Sequence, residues 1–484
     1  MRLAEVLRGA WASRPDNLRR GHRLRYRLTL VALLVADITF AFQQTAVIPA
    51  FPTIEQDLQA PATWTAWLLS GYLIVATVAT PLLGKLGDQQ GKRRLLVIAL
   101  LLFLTGSVGA AVSPNIGLLI VFRTVQGIGG AVFPLTFAVV RDEIPEENVS
   151  FAIGILTGGF GIGAALGLGL GGFIAAALSW RFIFALGGAA ILLSTLFIAL
   201  LVPHSPVRTE SQLDILGGAL FGATLAALLL ALTEGANLGW SSWPIIILFA
   251  ASIVLMGGWV GYELRVENPL IDLRVLSMPA VLLTNLATLA LGYLLFGVYF
   301  LVPHFVEAPE NAPAEVARQL HYGFAASAAE AGLYLLPAAI GQLISGPLSG
   351  VIERRWSPKW PFAGGTVLGA LAAFGLAFWH DQPWQVVISM LILGFGVGLG
   401  IGMSGTLVTQ SVSEQDTGIS NALNTTLRRV GGGMGGQIGA ALLATITIAG
   451  TQAPRESAFI AAFTVTALLC LFGAGCAVFI PRQT

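Results

Sequence analysis

The sequence predicts an all-α integral membrane protein: fourteen transmembrane helices in two six-helix bundles with a central helix pair. Three observations carry that expectation. Of 484 residues, 55% are hydrophobic and 11% charged, with a mean hydropathy of +0.80, where an average soluble protein has about 25% charged residues. Apolar runs of ~20 residues, long enough to cross a ~30 Å hydrocarbon core at ~1.5 Å per residue, recur along the whole chain. A short motif at the end of the second run also reappears, worn, at the end of the tenth.

Residues 1–27 form a basic tail, MRLAEVLRGAWASRPDNLRRGHRLRYR. It lacks the compact apolar core and small-residue cleavage site of a signal peptide. The reading is a retained cytoplasmic tail on anionic lipid, with Trp11 at the headgroups. Apolar runs then fall near 28–50, 64–86, 94–112, 116–140, 151–177, 181–202, 213–233, 244–265, 279–304, 330–352, 360–379, 384–411, 418–448 and 457–480. The first six, 28–202, make the N-terminal bundle; 203–278 holds two linker helices; 279–480 makes the C-terminal bundle.

An even count puts both ends on one side, and Lys/Arg bias says which. Most basic residues lie in the tail, the C-terminal end and the loops on their side, while Arg318 and Arg455 lie opposite, with Arg181 at that edge. Both termini are therefore expected to be cytoplasmic, in a multi-pass protein of the plasma (inner) membrane. The longest loop, Phe305–Glu330, has room for a surface helix over 314–322 but not for an enzyme domain.

GKLGDQQGKRR begins at Gly84 and GPLSGVIERRW at Gly346: Gly84 matches Gly346, Leu86 matches Leu348, and Lys92 and Arg93 match Arg354 and Arg355. Repeated bundles that meet at mid-membrane are how many secondary transporters build alternating access.

With GKLGDQQGKRRLL in place between the second and third spans, and RTVQGIGGAVFP from Arg123 to Pro134, the chain resembles the major facilitator superfamily. Within it, the chain is similar to the fourteen-spanner drug:proton antiporters. LSWRFIF at Leu178, LDILGG at Leu213 and GISNALNTTLRRVGGGMGG at Gly418 extend the likeness over the chain. It implies a conformational switch loop of Gly84, Asp88, Gly91, Lys92 and Arg93, with Asp88 linked to Arg141 and touching the thirteenth span near Gly418 while the cytoplasmic side is closed. The bland alternative is a solvated basic loop. Arg123 begins ~12 Å inside the fourth span, where a charge must face protein or water.

Two departures from the family pattern stand out. In the first span Gln43 occupies the usual acidic position, followed by Gln44 and Thr45. Gln43 is level with Arg123 at ~11 Å depth, and glutamine carries no proton. Asp37, about 15 Å from the cytoplasmic end and on the same helix face as Gln44, is the candidate for proton coupling. Its alternative is an acid bonded to Ser or Thr that fixes helix packing. In the fifth span GLGLGG puts Leu168 where the family has proline, which leaves Gly163, Gly167, Gly171 and Gly172 to provide close packing at the interface.

Glycine-rich runs inside spans have no preceding strand and read as helix packing, not dinucleotide loops. Cys470 and Cys476 are packing residues, and His304, Glu307, Glu310, His321 and Glu330 read as a solvated loop cluster, not a metal site. The expectation is a proton-coupled exporter of amphipathic, drug-like compounds whose cavity is lined by Gln43, Gln44, Arg123, Gln126, Asn285, Tyr293, Phe296 and Tyr299, with Arg428 at a gate. An exporter of one metabolite or lipid without obligatory proton exchange, and a non-transporting sensor or scaffold, are the alternatives. The expected partners are a small-molecule substrate, protons and the lipid bilayer. The chain is read as a monomer without enzyme activity, cofactor, metal or nucleic acid.

Overall fold

The computed structural model describes residues 16–203, 214–267, 269–308, 322–353, 357–412, 417–449, 451 and 453–481. Most of the tail and nearly all of the surface helix expected over 314–322 lie outside the described residues, as do Glu310 and His321.

The first helix, α1 (Asp16–Thr45), starts inside the basic segment, since Leu and Arg are good helix formers without being a continuous apolar run. It stops at Thr45, short of the expected end near 50. A 3-10 turn, Ile48–Ala50, and α2 (Phe51–Leu58) finish the crossing. Helices α3 (Trp67–Gln90) and α4 (Lys92–Ala111) meet at Gly91, whose φ of 103° favours glycine. The fourth span is broken: α5 (Ile116–Gln126), a 3-10 turn over Gly127–Ala131, then α6 (Val132–Glu143). At that break a Cβ on Gly127 would press on the Tyr72 carbonyl, so glycine lets the chain lie directly on α3.

There follow α7 (Glu146–Ala177), α8 (Trp180–Leu201), α9 (Ile215–Leu238), α10 (Trp243–Glu263), α11 (Pro279–Val306) and α12 (Ala328–Glu353). The last four are α13 (Lys359–Phe378), α14 (Pro383–Gln410), α15 (Thr417–Thr445) and α16 (Glu456–Val478). Among the described residues 13 helical segments are long and apolar enough to cross a membrane. The sequence's thirteenth span, α15, is 29 residues long but does not meet that test. Its NALNTTLRR segment is too polar to be apolar on average.

Burial ranks the helices from centre to edge. In the most apolar window of α11, 83% of the residues are buried, against 17% in α10, so α11 lies inside the bundle and α10 on its rim. Helices α1 to α8 pack among themselves, as do α11 to α16, and α9 pairs with α10 and leans on α3 and α15. Two seams join these sets: α7 against α12, and α3 against α15.

The glycines of α7 set both of its contacts. A Cβ built at Gly163, Gly167 or Gly171 would fall on the backbone of α1 or just beyond it, at the carbonyls of Ile38, Phe42 and Ala46. One at Gly172 would fall on the Ala328 carbonyl at the start of α12. Along the α7–α12 seam the contacts run from Gly172–Ala328 through Leu168–Gly332 and Gly169–Leu336 to Gly161–Leu343. Further along, Gly154 and Gly158 on α7, and Gly346 and Gly350 on α12, have nothing within 4 Å of a Cβ. The two helices therefore part toward the face of the bundle where α1 begins, here called the terminal face, and close at the opposite, far face.

Gly172→Leu is expected to pry α7 from α12 at the far face, an overpacking cost of about 1–3 kcal/mol, whereas Gly158→Leu should be near neutral. Thermal unfolding midpoints of the two variants in detergent check this. Equal midpoints would remove the seam's tapered geometry as the cause.

Candidate functional site

Arg123, in the last turn of α5, is fully buried and reaches three elements. Its Nε donates to the Leu68 carbonyl of α3 at 3.1 Å. Nη1 donates to the Gln43 carbonyl at 3.2 Å and to Gln126 Oε1 at 2.7 Å, and Nη2 donates to the Gln44 carbonyl at 2.9 Å. The guanidinium also stands 4.5 Å from the centre of the Tyr72 ring. Because α1 ends at Thr45, the carbonyls of its last turn have no further turn to bond to, and they carry the negative end of the helix dipole. That helix end compensates the arginine's charge here, and no carboxylate is among its partners.

Gln43 contributes its backbone to Arg123 and turns its side chain away. The amide Nε2 donates to Ser107 Oγ at 3.3 Å, which also accepts from Gln126 Nε2 at 2.6 Å. Its Oε1 is buried without a partner and lies where a side chain at Gly187 would be. Gln44 is partly exposed. So Gln43, Gln44, Arg123 and Gln126 do come together, with Gln43 sealed inside the first set of helices.

Asp37 lies elsewhere on α1, fully buried, with Thr136 of α6 as its hydrogen-bond partner: Thr136 Oγ1 is 3.1 and 3.0 Å from the two carboxyl oxygens. The same hydroxyl is 2.7 Å from the Phe133 carbonyl. A hydroxyl has one proton. When Asp37 is ionised that proton turns to it; when Asp37 is protonated, the acid can donate to Thr136 and release the hydroxyl to Phe133. Asp37 makes no ion pair among the described residues. Phe133 and Phe137, on either side of Thr136 in α6, meet at a tilt with ring centres 4.4 Å apart, and Phe133 meets Phe160 of α7 at 4.8 Å. All three rings are partly exposed. Sequence reasoning missed this aromatic group and Thr136, because phenylalanine and threonine in a span carry no signal of their own.

The candidates on α11 divide. Asn285 accepts from Asn424 Nδ2 at 3.1 Å, and that amide also bonds Thr288, so Asn285 ties α11 to α15. Tyr293 is buried. Tyr299 accepts from Gln342 Nε2 of α12 at 3.1 Å, and Phe296 meets its ring edge-on at 6.4 Å. Phe296 is partly exposed, and a Cβ on Gly432 would strike both its ring and Leu73 of α3, so it stands in the seam between the two sets.

In the switch loop, Lys92 pairs with Asp142 at 2.7 Å and with Asp88 at 3.8 Å. Arg93 donates to the Ala199 carbonyl. Arg141 is exposed, and no contact joins it to Asp88 in this terminal-face-open arrangement. Gly84 has open space around it.

The far face is latched across the seams. His304 Nε2 of α11 stands 2.8 Å from Glu55 Oε1 of α2, with His304 Nδ1 2.7 Å from the Phe300 carbonyl, and Phe51 meets Phe300 at 5.7 Å. Gln437 of α15 donates to the Thr63 carbonyl, and Ser70 of α3 to the Gly433 carbonyl, both at 3.0 Å. His304, expected in a solvated loop cluster, lies instead within α11 and is largely buried, and its partner 249 positions away gave no signal in the sequence. Removing this partly buried pair in Glu55→Ala is expected to shift the balance toward a far-open state by about tenfold, from a loss of roughly 1–3 kcal/mol. Spin labels at Gln59 and Asp381 would report it as a longer distance population, and an unchanged distribution would show the latch to be idle.

A family model described as Major Facilitator Superfamily matches residues 33–436 and, again, 311–483. The chain is 27% identical over 428 residues to the tetracenomycin C resistance and export protein of Streptomyces glaucescens, covering 86% of this chain and 76% of that one. It is 28% identical over 490 residues to a multidrug resistance protein B homolog of Mycobacterium tuberculosis, covering 99% of this chain and 86% of that one. The solved structure of the peptide transporter POT in complex with sulfate matches with a TM-score of 0.68 at 14% identity, over 93% of this chain and 94% of that chain. At that identity the likeness is one of fold.

Proposed function

The chain belongs to the Major Facilitator Superfamily and is a multi-pass membrane transporter, and from that premise we propose that it exports amphipathic, drug-like compounds by alternating access in exchange for protons. We assign it to the fourteen-span subgroup, with α15 as a span, α1–α8 and α11–α16 as the two moving halves, and α9–α10 as the linker pair. Both termini then lie in the cytoplasm, the terminal face is the cytoplasmic one, and the arrangement described above is the cytoplasm-open state of a monomer in the plasma membrane.

The observation that carries the reading is Asp37 with Thr136: a buried acid with no cation, whose protonation decides which acceptor a helix-bound hydroxyl serves. Such a group can take up a proton in one state and give it back in the other. The substrate would enter the terminal-face opening and meet Phe133, Phe137, Phe160 and Gln44 of one half and Phe296 and Tyr299 of the other. The relatives named as resistance and export proteins support efflux as the direction.

The test is uptake of a fluorescent lipophilic substrate into everted membrane vesicles under an imposed pH gradient. Accumulation that collapses with a protonophore supports the reading. Accumulation that persists without any ion gradient removes proton exchange from it.

A further inference from the structure

The interior holds more positive charge than the transport reading above uses. Among the described residues Asp37 is the one acid well inside a membrane helix, while Arg123, Arg428 and Arg429 are all deep. Two of these three arginines have hydrogen-bond partners. Arg123 is held by the end of α1, and Arg429 donates to the Ala76 carbonyl at 2.7 Å, Thr80 Oγ1 at 2.6 Å and the Gly130 carbonyl at 3.2 Å. Arg428 is different. It is partly exposed and, among the described residues, makes neither a hydrogen bond nor an ion pair.

Its place on α15 says where it looks. Arg429 faces α3, and Asn424 faces α11 and α14 through Thr288 and Ser404. Gly432, one turn beyond Arg428 on the same face, lies between Phe296 of α11 and Leu73 of α3. The backbone of Arg428 lies against Gly292 of α11, which sets Arg428 at the α11 edge of α15, one turn nearer the terminal face than the place where Phe296 and Leu73 flank Gly432 between the two sets of helices. Eleven residues from Thr417, it is ~16 Å along the helix. A guanidinium at that depth has a planar fork of donors suited to a carboxylate, phenolate or sulfonate, and Phe296 is one turn further in.

We propose that Arg428 anchors the acidic group of the substrate, so that the class carried is amphipathic aromatic anions. This rests on the transport reading for its setting, and it leaves Arg123, whose donors serve carbonyls, out of anion recognition. The neighbouring charge of Arg429 disfavours a cation at the same place, which gives selectivity by charge as well as by shape.

The test uses a matched fluorescent pair, 1-pyrenebutyrate and pyrenebutyltrimethylammonium, titrated against the purified full-length protein in detergent. Wild type is expected to bind the anion at least tenfold more tightly than the cation. Arg428→Gln is expected to weaken the anion at least tenfold and leave the cation unchanged or tighter, and Arg428→Lys to keep most of the preference. Should Arg428→Gln fail to fold, Arg428→Lys and the salt dependence of anion binding by wild type carry the test, since a charge contact weakens with ionic strength. A wild type that prefers the cation, or an Arg428→Gln protein with unchanged anion affinity, overturns the proposal. Proton-driven transport of the cation, unaffected by Arg428→Gln, would overturn the site and leave the transporter reading intact. Selective anion binding without any transport would do the reverse.

Discussion

In Asp37→Asn, accumulation of substrate against its gradient is expected to vanish while binding and downhill exchange survive. The reason lies in the hydrogen-bond inventory. Asparagine can donate to Thr136 Oγ1 as a protonated Asp37 does, so the hydroxyl stays free for the Phe133 carbonyl and the fold of α6 is kept. The variant is fixed as a mimic of the protonated state and can no longer release a proton. A gradient of two pH units is worth about 2.7 kcal/mol per proton, or roughly a hundredfold accumulation. That ratio is expected to fall to about one in the variant. Proteoliposomes loaded with substrate separate the two activities: counterflow should proceed in both proteins, and pH-driven accumulation only in wild type. Full pH-driven accumulation by Asp37→Asn would make the residue a packing acid and send the search for a carrier elsewhere. Asp37→Glu, which keeps the titrating group, should retain part of the coupling.

The same residue shows how far the sequence could be read. Apolar runs located every helix that carries the site, since the bilayer imposes length and composition on any span. The family motifs marked the switch loop and Arg123 because they depend on glycine and charge at fixed spacing. What spacing alone could not give was helix ends and long-range partners. A first span running to 50 places Gln43 beside Arg123 as a side-chain pair. With α1 ending at Thr45, the released carbonyls do the bonding and the Gln43 side chain is free to turn toward Ser107. Depth was legible, and the atom responsible was not. In the same way nothing local separates Arg428 from Arg429, adjacent residues whose different roles arise from the 100° between successive positions on a helix and from what α3 presents to one of them. The Asn285–Asn424 bond and the Glu55–His304 latch join residues more than a hundred positions apart, and tertiary packing alone sets them.

Replacing Arg123 is expected to cost stability first and transport as a consequence. Arg123→Met keeps the length and removes the charge. It strands the carbonyls of Leu68, Gln43 and Gln44 and the Oε1 of Gln126, each losing a charged donor in a buried site. An unsatisfied buried acceptor costs about 1–3 kcal/mol. Against four of these stands the relief of removing an intramembrane arginine, roughly 2.5–3.5 kcal/mol, so a net loss of roughly 1–9 kcal/mol is expected. Arg123→Lys discriminates between roles. A lysine keeps the charge but, as a point donor on a flexible stem, does not span acceptors on α1, α3 and α5 together as the planar fork does. If Arg123 clamps the end of α1, the lysine variant should unfold nearly as early as the methionine variant. It should also loosen the segment Ile48–Leu58, which carries Glu55 to the far-face latch. If Arg123 instead received the substrate's charge, lysine would preserve the unfolding midpoint and much of the affinity. Thermal unfolding of the three proteins in one detergent, read beside the pyrenebutyrate affinities, distinguishes the two. Loss of midpoint at Arg123 together with loss of anion affinity at Arg428 would show two deep arginines, one bound to backbone and one left for the cargo.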